Sequence, residues 1–280
     1  MTLPMEPGQV LFWAQVIASV SVVLASLEWL AAAPLMGPRG VLQWEVLRSR
    51  YTFLYEGPAA RLVHPVLRYP AALAVPGVRA VAAGALLALP GLEGAGAAAL
   101  AGVVAVTSVL MFVRSPYSMD GADQMTVLTF ATLSLVHASG HPWVREAGLW
   151  FIAIQGALSY SIAGWAKASA RDWRNGRYLA QIMATRIYGA PALARFLGDH
   201  PRLAALAAWS VILWESTFIL VFFLPEPAVA AYLLLGLFFH VHTALAMGLN
   251  TFFWSFVAAY PPIYYAASRS HAWLGGLLGS

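Results

Sequence analysis

The sequence predicts an all-α, polytopic membrane helix bundle of about eight transmembrane helices, each needing roughly 20 apolar residues to cross ~30 Å of hydrocarbon. Three observations carry that reading. Hydrophobic residues make up 60% of the 280-residue chain and charged residues only 10%, against about 25% charged in a soluble domain. The apolar residues come in unbroken runs with no polar face between them, and a helix that is apolar all round belongs in a bilayer. The cations gather between the runs, where they set orientation; the net charge of +4 therefore does not point to a nucleic acid.

Taken in order, the candidate spans are Gln9–Ala33, Ala71–Leu89, Ala95–Val113, Gln124–Ser139, Gly148–Lys167, Leu203–Leu224, Ala228–Gly248 and Thr251–Ala267. Met1 to Gly8 holds Glu6 and no basic residue, so the first run is expected to be a retained helix and not a secretory signal. The fourth run is short. Pro261-Pro262 should kink the last one or end it early. Pro90-Gly91 and Pro225 with Pro227 mark tight turns. No internal repeat or low-complexity linker interrupts residues 1–280, which reads as a single integral membrane domain. The absence of cysteine excludes disulfides, zinc–thiolate sites and iron–sulfur clusters.

Two connections are long. Pro34 to Pro70 mixes Trp44, Tyr51, Phe53 and Tyr55 with Arg39, Arg48, Arg50, Arg61 and Arg68, a composition suited to a helix at headgroup level. Ala168 to Arg202 carries six arginines against Asp172 and Asp199, and Arg114 falls in a third loop of the same parity. Loops of the other parity hold little beyond Glu93, Arg145, Glu146 and Glu226. The positive-inside rule then places the long loops in the cytoplasm and both termini outside, in a multi-pass protein of the cell membrane.

Ionisable groups at membrane depth cost at least ~2.5–3.5 kcal/mol on insertion scales, so each invites a reason. Those here are Glu28, Lys167, Glu215, His240 and His242, with Asp120 and Asp123 at a helix mouth. Glu215 lies mid-span, and there a carboxyl is either neutral or paired with a cation; it serves as an interhelical bond or as part of a site. Glu28 lies near enough to a span end to reach the interface. His240 and His242 sit about 200° apart on a helix and cannot share a face. His137 and His141 have a ligand-like spacing, but Ser139-Gly140 and Pro142 break the helix there, so no metal site is expected. Lys167 is the only lysine among sixteen cationic residues. It either snorkels to the interface or acts as a base, since an amine can lose its proton when desolvated and a guanidinium cannot.

Tyr160-Ser-Ile-Ala-Gly-Trp-Ala-Lys167, followed by Asp172-Trp173 and Gly176, resembles the Y-x-x-A-G-x-x-K…W-x-x-G segment of vitamin K-dependent gamma-carboxylases. The same segment occurs in their bacterial relatives, the horizontally transferred transmembrane (HTTM) domain proteins. Phe239-His240-Val-His-Thr-Ala244, running to Leu249-Asn-Thr-Phe-Phe-Trp254, is similar to a family helix with a histidine ahead of an aromatic segment. Asp120 to Leu128 is a weaker match, in which Asp123 aligns near a family histidine that this chain lacks.

The resemblance implies an intramembrane enzyme on a lipid-soluble substrate such as a hydroquinone. By that resemblance Lys167 would be the general base and His240 a pocket group, expected to be the second catalytic residue; Glu215, Asp123, Tyr160, Trp173 and His242 are the expected substrate contacts. Without the mouth histidine, and with no long extramembrane segment after the last span, glutamate carboxylation itself is not expected. In the carboxylases the chemistry faces the lumen, whereas charge counting puts the Lys167 end in the cytoplasm. The alternative is a non-catalytic transport, export or maturation factor.

Overall fold

In the computed structural model, which describes residues 5–50, 58–114 and 120–278, the chain is helical over 85% of its length and forms no strand among those residues. The long helices are α1 (Pro7–Ala31), α2 (Pro58–Leu67), α3 (Ala74–Ala88), α4 (Gly94–Arg114), α5 (Gly121–Ser139) and α6 (Pro142–Ser169). After single turns come α7 (Arg177–Met183), α8 (Pro191–Asp199), α9 (Pro201–Ser216), α10 (Glu226–Met247), α11 (Asn250–Val257) and α12 (Tyr260–Leu278). Among the described residues five helices are long and apolar enough to cross a membrane: α1, α3 with its preceding turn, α4, α6 and α10. Their outward faces agree. α10 exposes Leu234, Leu235, Phe238 and Leu245, a stripe that water penalises and acyl chains accept.

Three expected spans take other forms. α5 has the length, but Thr126, Thr129, Thr132, Ser134 and His137 dilute its apolar run. The Leu203–Leu224 run leaves the α-helix after Ser216 and continues as a 3-10 segment, Phe218–Phe223. The last run is split, because Pro261 and Pro262 do not end a helix but begin one. In the first turn their missing N–H groups have no intrahelical acceptor to lose.

The chain divides into two compact units, Leu11–Gly148 and Leu149–Ser280 with Met1–Val10. In the first, α3, α4 and α5 pack side by side. Ala97, Ala98, Ala101 and Ala105 bury a small-residue face of α4, and Ser134 Oγ on α5 donates to the Ala98 carbonyl at 2.9 Å. Small side chains of this kind let apolar helices close up where no hydrophobic force acts between them.

Arg114 is not a loop charge as its place in the sequence suggested. It ends α4 with no exposed surface and donates to the carbonyls of Leu67, Leu42 and Met36. Around it Met36, Trp44, Leu47, Leu67, Val75 and Met111 form an apolar cluster. Trp44 is therefore a core residue and not an interfacial aromatic; Tyr51, Phe53 and Tyr55 lie outside the described residues. The topological vote loses Arg114 and rests on the remaining arginines.

Candidate functional site

Within the second unit, α6 and α9 meet at Gly164. A Cβ added there would stand 2.3 Å from the Ser216 backbone nitrogen and 2.7 Å from the Glu215 carbonyl carbon. Only glycine permits that approach. Side chains of α6 on either side of it satisfy the end of α9: Trp165 Nε1 donates to the Ser216 carbonyl, and Ser161 Oγ accepts from the Ile219 N–H, each at 3.1 Å. This is why the helix yields to a 3-10 segment inside an apolar run, since freed backbone groups there find partners on a neighbouring helix.

One turn beyond Gly164, the same crossing brings Lys167 Nζ to 2.6 Å from Glu215 Oε2. The Glu215 side chain keeps 4% of its surface and that of Lys167 19%. Trp173 covers the ammonium, its ring centroid 5.5 Å from Nζ. Trp173 is held there by Gly176, whose φ of +76° lies in the left-handed region and whose Cβ position would fall 2.4 Å from the backbone of Ala204 and Ala205. The two glycines of the Tyr160–Gly176 stretch thus do one job: they bring backbones together so that Lys167, Glu215 and Trp173 converge.

Beside this group opens a cavity of about 450 Å³, walled by α7, α8, α9 and α10 and almost wholly apolar. Lys167 and His242 are the ionisable side chains on its lining, and Trp173, Phe239 and Phe252 supply aromatic surface. Of Lys167, His240 and Glu215, only Lys167 lines this cavity. Glu215 lies behind Lys167. His240 has no exposed surface, and Phe239 and Phe252, which line the cavity, pack against its ring at 5.2 and 5.3 Å. His240 Nε2 lies 2.6 Å from Tyr160 Oη, which lies 3.1 Å from Tyr260 Oη, while His240 Nδ1 has no hydrogen-bond partner among the described residues. Tyr160 is likewise enclosed, stacked on Phe218 at 4.2 Å. The 200° between His240 and His242 holds: one points inward, the other lines the cavity.

Asp123 belongs to the other unit, in the first turn of α5, where its backbone N–H donates to Asp120 Oδ1 at 2.9 Å. Its charge acts on Arg79, a group the sequence reading overlooked. Arg79 lies in the middle of the second apolar run, 5% exposed, with Nε donating to Ser26 Oγ at 2.9 Å. The rule that singled out Glu215 applies to it with equal force. Tyr260 was also missed; its signal is the phenol placed immediately before Pro261-Pro262. Glu28 is exposed near the end of α1, in keeping with a group that reaches the interface.

The histidine pair serves two local structures. His137 Nε2 lies 2.8 Å from Gln15 Oε1, and His141 Nδ1 accepts from the Trp143 N–H at the start of α6. Gly140, at φ +61°, closes α5 between them.

These features define an all-helical protein with membrane-length helices and a lysine–carboxylate pair at the edge of an apolar cavity. Comparison with known protein families, with curated proteins and with solved structures finds no match for this chain.

The crossing gives a direct test. Gly164→Val should separate α6 from α9, costing about 1–3 kcal/mol of stability through overpacking. It should also part Lys167 from Glu215, to be read as a lowered thermal transition in detergent. A Gly164→Val protein as stable as wild type would show that the backbones do not meet there.

Proposed function

We propose that the chain is an intramembrane enzyme acting on a lipid-soluble substrate with an acidic hydroxyl, of the kind implied by its likeness to the membrane part of the gamma-carboxylases and HTTM proteins. The observation that carries this reading is the position of the only lysine, at the margin of a 450 Å³ apolar cavity and bonded to a buried carboxylate. A hydroquinone fits the lining: aromatic walls for its rings and one polar corner for its hydroxyl. A charged pair is costly to hold in apolar surroundings, and the proposed step begins with transfer of a proton from Lys167 to Glu215 across their 2.6 Å contact. The amine so formed takes the hydroxyl proton of the substrate. Glu215 keeps the second proton, and the substrate anion remains beside the new ammonium. Trp173 shields that ammonium from water, and His242 offers a second polar contact.

Eight crossings, with α5, α9 plus its 3-10 extension, and α11–α12 joining the five long helices, complete this reading as a multi-pass protein of the cell membrane. Both termini then lie outside the cytoplasm, with the arginine segment between α6 and α9 inside. Reporter fusions should find an extracytoplasmic C-terminus, and a cytoplasmic one would overturn the topology. The function is tested by extracting lipids from the purified protein and identifying them by mass spectrometry. The expected result is a phenolic or quinone-like species, depleted when Phe239 or Phe252 is replaced by a residue that fills the cavity.

One observation favours a different role. The Lys167–Glu215 pair is complete in itself, covered by Trp173, as it would be in a non-catalytic transport or maturation factor that uses it only to hold helices together.

A further inference from the structure

The segment that walls the cavity, residues 171–202, is amphipathic. Leu179, Ile182, Met183, Leu193 and Leu197 turn inward to the cavity and to a small apolar cluster. Its six arginines turn outward. Two of these have internal duties: Arg174 donates to the Ala168 carbonyl at 2.8 Å, closing the end of α6, and Arg177 pairs with Asp172 at 3.6 Å. The other four, Arg171, Arg186, Arg195 and Arg202, are exposed and have no ion-pair partner among the described residues. Interleaved with them, Ile187, Tyr188 and Phe196 are also exposed.

No single bulk phase suits such a surface. Water penalises the exposed isoleucine and aromatics, and hydrocarbon penalises the guanidinium groups. The headgroup layer accepts both, with the apolar side chains pointing toward the acyl chains and the arginines among the phosphates. The attraction of the guanidinium groups to phosphate is chiefly one of charge, which an ammonium shares.

We infer that residues 171–202 form a docking surface for anionic phospholipid headgroups of the bilayer, held by Arg171, Arg186, Arg195 and Arg202. The surface stands on the membrane reading of the chain and is independent of any chemistry at Lys167. It seats α7 and α8, and with them one wall of the cavity, at the level where a lipid-soluble molecule enters from the leaflet.

The test uses the full-length protein in detergent, titrated with phosphatidylglycerol or phosphatidylcholine and read by native mass spectrometry. A cation near an anionic surface is worth about fivefold in association. Wild type should therefore prefer phosphatidylglycerol by tenfold or more, and the preference should weaken with salt. The quadruple variant Arg171→Gln, Arg186→Gln, Arg195→Gln, Arg202→Gln should bind the two lipids alike. The corresponding quadruple lysine variant, which keeps the charge and reports on folding, should retain most of the preference. An unchanged preference in the glutamine variant would place the lipid elsewhere and overturn the proposal. So would equal binding of both lipids by wild type, or a lysine variant that loses the preference as fully as the glutamine one. Loss of the wild-type preference on adding millimolar inorganic phosphate would mark a phosphate site instead of a headgroup surface, and would also overturn it.

Discussion

Lys167→Arg is expected to abolish turnover while leaving the protein folded. Arginine keeps the charge, can still reach Glu215 and can still lie under Trp173, so the α6–α9 crossing should survive. What it removes is a nitrogen that can give up its proton. General-base contributions run to about 10²–10⁴-fold, and both Lys167→Arg and Lys167→Ala should fall by that order at matched membrane abundance. The two roles of the lysine then separate cleanly. If it only ties α6 to α9, the arginine variant behaves as wild type and the alanine variant is the damaged one. An active arginine variant would remove the chief reason for treating the pair as chemical. Lipid extraction from Lys167→Arg adds a second reading, because a protein that binds its substrate but cannot deprotonate it should still carry it.

Much of the site was legible because its residues are anomalies of type. A single lysine among fifteen arginines, and a glutamate near the middle of the apolar run Leu203–Leu224, stand out whatever the fold. Their pairing was not legible. Lys167 and Glu215 are 48 residues apart, and they meet because Gly164 admits the backbone of α9. A glycine in an apolar run reads as ordinary composition until its neighbour across the crossing is known. Trp173 and Gly176 were recognised as a motif, but the reason for the glycine, a left-handed φ against the Ala204–Ala205 backbone, is visible only in three dimensions.

The spans were legible where hydropathy and helix coincide, as in α1, α4, α6 and α10. The form of a run was not legible where side chains from a distant helix replace backbone hydrogen bonds, as after Ser216, or where a proline pair opens a helix. Arg114 misled for a related reason. A cation at the end of an apolar run has the same sequence whether it meets water or three buried carbonyls.

Glu215→Ala is expected to be the most destabilising single change in the second unit. It leaves the Lys167 ammonium against apolar walls with only the Trp173 ring to face, and breaking one side of a buried pair costs about 3–5 kcal/mol. Lys167→Met alone strands the Glu215 carboxyl, which keeps 4% of its surface, and should be nearly as harmful. The double variant Lys167→Met, Glu215→Leu removes both charges and fills the space with side chains of similar volume. Replacements of that kind are often neutral or stabilising by ~1–4 kcal/mol, so thermal unfolding in detergent should return to the wild-type value or exceed it. Activity should not return. Stability restored without turnover is the pattern of a pair kept for its chemistry, at a cost to the fold that an apolar pair would avoid. If the double variant is both stable and active, the lysine and the glutamate are interhelical glue, and the reading as a non-catalytic membrane factor takes its place. If the double variant stays as unstable as Glu215→Ala, the crossing depends on the ion pair itself, and the close backbone approach at Gly164 is its consequence and not its cause.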